Sequence, residues 1–536
     1  MVKKCISYVM LITALGWSTA LSAQTIDQKK TSEKFSTLLY YIEQMYVDSV
    51  DSEALVETAI VGMLEELDPH SSYISAADVQ EANAPLKGNF DGIGIQFNIL
   101  KDTILVVSPI SGGPSEKLGI QAGDKIVIID GENVAGVGVS NNDVRDKLMG
   151  PKDTKVTVGI KRKGSKKLLE FEIIRDKIPI FSVDASYMVD DEIGYVKVNR
   201  FGKTTMQELR EALMKMKSQG MKDLILDLQG NGGGYLQTAI DMADEFLSEQ
   251  KLIVFTQGRS FPKDDFYARR EGLFEKGRLV VLIDEGSASA SEIVSGAIQD
   301  WDRGLIVGRR SFGKGLVQRP VPLPDGAEVR LTVQKYYTPS GRCIQKPYDE
   351  GVEAYRNEKY DRYESGELYS LDNIDLPDSL KFETNVKKRT VYGGGGILPD
   401  IFVPVDTSMT TDYFMDLIRT GIMNRFALEY TNEHRQEMME VFNTSATFRD
   451  NFVITDNIKK ELVALAESEE VAFNEEEWNI SKEAIEIRLA ALIGRNLYDY
   501  NLFFEIINEL SPAYQKAIKT LKDGTFEKAN LAHRDF

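Results

Sequence analysis

Apolar residues recur at helical spacing at both ends of the chain and in short unbroken runs between them. Phe35, Leu38, Leu39, Ile42 and Tyr46 mark one helix face. Leu55, Ala59, Met63 and Leu67 mark a second, which stops at Asp68-Pro69. Residues 27–79 therefore read as a helical N-terminal segment whose stripes suit a core or a dimer surface. Over 84–178 the pattern changes to β-branched runs between glycines, at 92–97, 104–107, 125–129 and 155–160. Helical pieces interrupt them near 114–118 and 142–149. From 180 to 405, short apolar runs at 223–228, 279–284 and 305–307 read as buried strands. Helical spacing at 236–247 and 292–298 lies between them, which predicts an α/β core. The charged, tyrosine-rich stretch 346–392 reads as a surface excursion, and Gly393-Gly-Gly-Gly396 with the following Ile-Leu-Pro-Asp400 as the return to the core. Residues 406–536 are mostly helical, with Phe414, Leu417, Ile418 and Ile422 in one stripe and another beginning over 485–492. The fold class is a multidomain α/β protein with helical ends.

The first residues change where this chain is expected to work. Lys3 and Lys4 precede an apolar run over 6–17, and small residues follow, with a cleavage point after Ala23. That is the layout of a signal peptide over 1–23. The run is too short for an ordinary membrane span, although an uncleaved anchor is the competing reading. Cleavage would remove two lysines and no acids and take the formal charge from −19 to −21. So acidic a surface argues against nucleic acid and anionic membrane as partners. Of the two cysteines only Cys343 would remain, so no internal disulfide can form.

Chemistry is constrained by what is scarce. The three histidines, His70, His434 and His533, all lie outside the α/β core. A Ser–His–Asp triad is hard to build, and no His/Cys cluster has metal-ligand spacing. A hydrolase would need another base. Asp284-Glu-Gly-Ser-Ala-Ser-Ala-Ser-Glu292 sits between an apolar strand and a helix. A small-residue turn there can expose a serine hydroxyl, and the helix start supplies unpaired N–H groups that favour an oxyanion. The same residues also fit a plain capping box, with Ser289 as N-cap and Glu292 three residues on. Twenty-five residues after Ser289, Lys314 stands between Gly313 and Gly315. Pointing inward, it would be disfavoured in its charged form and usable as a base; pointing outward, it is a surface lysine. Gln318, four residues on along a strand, would share its face and could orient the amine. Asp227-Leu-Gln-Gly-Asn-Gly-Gly-Gly234 places three glycines after a buried strand, where an N–H can approach substrate as a second oxyanion donor. A tight turn is the bland alternative, and the Walker phosphate pattern is absent.

Leu118-Gly-Ile-Gln-Ala-Gly-Asp-Lys-Ile-Val-Ile-Ile-Asp-Gly131 resembles the signature of PDZ domains, which take a peptide C-terminus as an added strand. By that resemblance Gly92, Ile93, Gly94 and Ile95 would be the carboxylate loop and the strand after it. With Leu67-Asp-Pro-His-Ser-Ser-Tyr-Ile74, Asp91-Gly-Ile-Gly94, the glycine loop, Ser287-Ala-Ser-Ala-Ser-Glu292, Gly313-Lys-Gly315, Lys335-Tyr-Tyr-Thr-Pro-Ser-Gly-Arg342 and 393–400 in order, the chain resembles the carboxyl-terminal processing (tail-specific) peptidases. The resemblance implies a core like those of crotonases and Clp peptidases. It implies Ser289 as nucleophile, Lys314 as base and Gln318 as its assistant. The amides of Ala290 and of Gly234 or its neighbour Gly233 would be oxyanion donors, with Glu292 in support. It implies no cofactor, protein or peptide C-termini with apolar tails as substrates, and a PDZ domain that gates the site. Gln229 departs from the arginine common in relatives. The helical tail from 406 is outside the minimal pattern, and oligomerisation or covering of the core are its two candidate roles. Similarity to tail-bearing homologues of Gram-negative Bacteroidota suggests the periplasm. A homo-oligomer through the helical ends and an adaptor protein are further partner expectations. Two other functions stay open: a catalytically silent PDZ adaptor, and crotonase-like acyl-CoA chemistry, against which an export signal argues.

Overall fold

The computed structural model describes residues 29–110, 112–248, 250–374 and 376–529. The expected signal peptide at 1–23 lies outside them. The chain divides into two compact units, Met1–Tyr73 and Ile74–Phe536.

In the first unit residues 29–45 are helical, and the helix Ser52–Glu65 is capped by Asp51, which accepts from the Ala54 N–H at 3.1 Å. The chain then leaves the helix just before the stop expected at Asp68-Pro69. The buried Asp68 carboxylate explains why: it accepts from the N–H groups of His70 (2.8 Å) and Ser71 (2.9 Å) and from the Ser71 hydroxyl (2.6 Å), folding a turn. Phe35, Leu38 and Tyr46 of the first stripe remain exposed.

The second unit opens with the helix Val79–Lys87, stopped by Gly88 at φ +75°. A β module follows. Its strands Ile95–Ile99, Ile104–Pro109, Lys125–Ile129, Lys155–Lys161 and Leu169–Ile174 form one antiparallel sheet. Asn89–Gly92 pairs with Asp176–Pro179 where the module joins the chain. The helices Pro114–Lys117 and Asn141–Leu148 fall within a residue of the expected places. Leu169–Ile174 was not anticipated, although its alternation is that of a strand with one buried face.

The core elements are β1 (Val183–Met188), β2 (Ile193–Val198), α1 (Thr205–Ser218), β3 (Asp223–Asp227), α2 (Leu236–Asp244), β4 (Leu252–Gln257), β5 (Asp264–Tyr267), β6 (Leu279–Ile283), α3 (Ala290–Asp300), β7 (Leu305–Gly308), β8 (Leu316–Pro322), β9 (Glu328–Tyr337), α4 (Val352–Glu364) and β10 (Ile401–Phe402). The main sheet runs β1-β2-β3-β6-β7-β10, antiparallel only at β1–β2. β3 and β6 are buried at every residue, which is why they read as continuous apolar runs. The inner helices α1, α2 and α3 cover one face through Leu209, Leu213, Met242 and Val294. Tyr514, Ala517, Leu521 and Phe526 of the C-terminal helices cover the other, against Val280, Leu282 and Val307. Each such aliphatic side chain contributes about 1.5–3 kcal/mol by leaving water. The tail therefore supplies the second layer of the core sheet, the covering role. Its remaining helices hold a separate apolar cluster around Phe448, Trp478 and Leu489. A second sheet joins β8 to β9, β9 to β4 and β4 to β5.

The expected surface excursion at 346–392 is corrected. Helix α4 exposes one face, but Tyr355, Arg362 and Lys346 are buried against the loop between β7 and β8. Its buried face is built from tyrosine, arginine and glutamate, so no apolar stripe announced it.

Candidate active site

The turn after β6 is fixed by side chains that spend themselves on backbone. The Ser287 hydroxyl lies 2.8 Å from the Leu228 carbonyl and accepts from the Asp284 N–H at 2.9 Å. Asp284 accepts from the N–H groups of Gly230 (2.8 Å) and Gly286 (2.9 Å). The Ser291 hydroxyl donates to the Asn231 carbonyl at 2.8 Å. Both flanking serines are buried and committed, whereas Ser289 is half-buried and lines a cleft. Ser289 adopts φ +55°, ψ −108°, a conformation that costs a non-glycine residue about 1–3 kcal/mol and persists only where surroundings over-determine it.

Glu292 supplies much of that restraint. Fully buried, its carboxylate accepts four bonds, from the Ser289 N–H (2.7 Å), the Ser311 hydroxyl (2.5 Å), the Gly313 N–H (2.7 Å) and the Lys314 N–H (2.9 Å). Burial pushes its pKa up to about 7, against the pull of those donors. The capping-box reading was right for the Glu292 arm, and the same carboxylate also ties the serine turn to the lysine loop. Tyr336, buried in β9, adds a second tie. Its hydroxyl reaches the Ser289 carbonyl (3.0 Å) and the Lys314 carbonyl (2.5 Å), and its single proton serves one at a time.

The glycine loop lies directly beneath the turn. A Cβ on Gly233 (φ +104°) would stand 2.9 Å from the Ala288 carbonyl and 3.0 Å from the Ala290 nitrogen, so only glycine fits. The Gly233 N–H is already given to the Asn231 side chain at 2.9 Å. Gly234 differs. Phe201 donates to Gly233 and accepts from Tyr235, a parallel bridge that turns the peptide groups of Gly234 away from Phe201. Among the described residues neither the Gly234 nor the Ala290 N–H has a protein acceptor, and both residues line the cleft with Ser289. Asn231, buried, organises the contact, donating to the Val198 carbonyl at 2.9 Å while its own carbonyl receives the Ala288 N–H at 2.9 Å.

Ser289, Ala290, Gly234, Lys314 and Gln318 thus line one cleft of about 260 Å³, walled by Leu236, Ile293 and Leu316 and edged by Asn83 and Leu86 of the helix Val79–Lys87. Among the described residues no histidine lines it. Lys314 precedes β8, in a loop, so the two do not share a strand face, although both line the cleft. β8 and β9 slip register there, with Val317 opposite Gln334 and Gln318 opposite Thr332, and Gln318 donates to the Thr332 hydroxyl at 3.1 Å. Among the described residues no cluster of His, Cys, Asp and Glu could hold a metal ion. Asn231 and Tyr336 were missed as site residues. Both lie in quoted motifs, yet only the fold reveals which carbonyls they reach.

The expected peptide loop falls at a second, apolar groove of about 540 Å³. Ile93, Gly94, Ile95 and Phe97 face Val144 and Leu148 across it, and Pro85 and Phe90 close one side. Gly92 does not line it, because it ends the strand paired with Asp176–Pro179.

This is a PDZ-bearing α/β protein in which a serine at a strained strand–helix turn, a lysine and two unspent amides line one cleft. Residues 192–354 match peptidase family S41, 92–173 a PDZ domain, 16–77 the N-terminal domain of the activating protease CtpB, and 413–499 a family of unknown function. A carboxy-terminal-processing protease of Bartonella bacilliformis is 39% identical over 357 residues, covering 64% of this chain and 81% of that one. The Bacillus subtilis carboxy-terminal processing proteases CtpB and CtpA are 33% and 35% identical, covering 67% and 63% of this chain and 73% and 74% of theirs. The chain belongs to the carboxy-terminal processing proteases of peptidase family S41, and is a serine-type peptidase. A catalytically silent adaptor is not favoured.

Proposed function

We propose that this peptidase cuts proteins near their C-termini through Ser289 and Lys314, after its PDZ groove takes an apolar tail. What carries the reading is the convergence, in one cleft, of Ser289, Lys314 and the unspent amides of Ala290 and Gly234. Lys314, as the uncharged amine, removes the Ser289 proton while Oγ attacks the scissile carbonyl. The Ala290 and Gly234 N–H groups hold the oxyanion, each such donor contributing about 10²–10³ in rate. The protonated Lys314 passes its proton to the leaving amine. Water, deprotonated by Lys314, then hydrolyses the acyl-enzyme and frees Ser289. Gln318 orients the amine, and Glu292 holds both segments in register.

The test uses an unfolded protein ending in an apolar tail. Ser289→Ala and Lys314→Ala should each lose about 10⁴-fold or more in kcat while still binding the tail. Cleavage surviving in either variant would overturn the pair.

The basic start and apolar run at 3–17 support export and a periplasmic place of work. A mature protein beginning at Gln24 in the periplasmic fraction would establish it; retention of residues 1–23 in a membrane fraction would not. Exposed Phe35, Leu38 and Tyr46 support self-association through the N-terminal helices, which sedimentation of a Leu38→Glu variant would check.

A further inference from the structure

The loop from Ser311 to Gly315 carries Lys314 yet has no strand or helix of its own. Its peptide groups must therefore find partners elsewhere. Glu292 takes the N–H groups of Gly313 and Lys314, and Tyr336 reaches the Lys314 carbonyl. The Ser311 N–H donates to the Ile397 carbonyl (3.1 Å), the Phe312 N–H to the Ser287 carbonyl (3.0 Å), and the Gly315 carbonyl accepts from the Tyr336 N–H (2.9 Å). The carbonyls of Ser311, Phe312 and Gly313 and the Gly315 N–H are taken by the segment around α4. Arg362 donates to the carbonyls of Ser311 (2.8 Å) and Phe312 (3.2 Å). The Lys346 N–H gives to the Gly313 carbonyl at 2.9 Å, and the Gly315 N–H to the Gln345 side chain at 2.8 Å.

Arg362 has only 3% of its surface exposed and is held by Glu358 at 2.7 Å through Nε. Glu358 in turn accepts from Lys346 at 2.8 Å, whose ammonium lies 4.2 Å from the centre of the Phe312 ring. A buried guanidinium is costly unless its donors are used. Here its planar fork spans two consecutive carbonyls while its third edge is anchored, which an ammonium cannot do.

We infer that Arg362 is a positioning residue for the base: from α4, it fixes the path of the 311–315 backbone and so the place of Lys314 opposite Ser289. This rests on the Ser289–Lys314 reading of the site. Arg362 is buried, does not line the cleft, and lies outside the stretch matched to the peptidase family, which ends at residue 354. α4 thereby becomes part of the catalytic apparatus.

The test compares Arg362→Met, Arg362→Lys, the exposed control Arg356→Met on the same helix, and Lys314→Ala, in the full chain. Arg362→Met should lower kcat about 10²-fold, the usual consequence of a misplacement near 1 Å, with KM for a tailed substrate within about twofold. The acid limb of its pH–rate profile should move to higher pH, because a loosened lysine is better hydrated and holds its proton longer. Arg362→Lys, which keeps charge and bulk, should fall between, and Arg356→Met should match the wild type. If Arg362→Met is too unstable to assay, Arg362→Lys decides: a wild-type kcat and pH limb overturn the inference. An equal loss in the Arg356 control, or a loss confined to KM, overturns it as well. An active Lys314→Ala would instead overturn the site reading beneath it.

Discussion

In the proposed catalytic cleft the backbone around Ser289 and Lys314 is tied by buried side chains, Glu292, Asn231, Tyr336 and Arg362. In the PDZ groove the walls are apolar, and an exposed ion pair between Arg145 and Glu81 bridges one wall to the helix Val79–Lys87. The first arrangement suits chemistry, where a small displacement of a reacting group is expensive and preorganised donors give the largest rate terms. The second suits recognition of varied tails, where main-chain pairing and apolar contact suffice. One element borders both. The helix Val79–Lys87 presents Asn83 and Leu86 to the cleft and Pro85 to the groove, and Arg330 of β9 donates to Asn83 at 3.1 Å. A tail that shifts this helix would be felt at the cleft edge.

The contrast predicts its largest effect at Glu292. Glutamine there keeps the shape but turns an NH₂ group toward fixed N–H donors, which should lower kcat about 10²-fold with little change in tail affinity. The carboxyl also leaves a signature in stability. Its pKa is 4.5 in the unfolded chain and about 7 when folded. Between those values the native state binds more protons than the unfolded state, so stability falls as pH rises from about 4.5 to about 7 and levels off above. Denaturation midpoints measured across this range should slope downward for the wild type and flatten in Glu292→Gln. Equal slopes in the two proteins would mean Glu292 is not the buried acid that links the two loops.

What the sequence made legible divides along the same line. The strands β3, β6 and β7 and the module at 84–178 could be read from local pattern, because burial on both faces or on one face leaves a period in the chain. The family motifs singled out Ser289 and Lys314, which the fold brings to one cleft. Which serine of three is available could not be read locally: Ser287 and Ser291 are excluded by bonds to Leu228 and Asn231, roughly sixty residues away. The choice between Gly233 and Gly234 likewise turns on Asn231 and Phe201. Helix α4 was missed because its inward-facing side chains, buried Tyr355 and Arg362 with half-buried Glu358, recur at helical spacing but form no apolar stripe.

Substitution in the groove should separate the two regions at a smaller scale. Phe97→Asp places a charge on the apolar wall opposite Val144, and burying it unpaired disfavours the bound tail. KM for a substrate with an apolar C-terminus should rise about 10–100-fold while kcat at saturation holds, a change of about 1.4–2.7 kcal/mol in binding. A fall in kcat with KM unchanged would show that the groove wall belongs to the catalytic framework after all, and the contrast would fail.

The smallest effect is expected at the tie itself. Arg145 and Glu81 keep 40% and 63% of their side-chain surface exposed, so their pairing is worth no more than about 1 kcal/mol. Glu81→Gln should release the helix Val79–Lys87 from the groove wall and tighten binding of a labelled apolar-tailed peptide by up to about fivefold at low salt. Measured in the Ser289→Ala background, cleavage cannot distort the titration. Near 1 M salt, where screening acts over about 3 Å, the wild type and Glu81→Gln should converge. Convergence would assign the difference to an exposed charge pair that a tail can displace; a difference that persists in salt would mean the helix is held by packing, and that the groove is as rigidly built as the cleft.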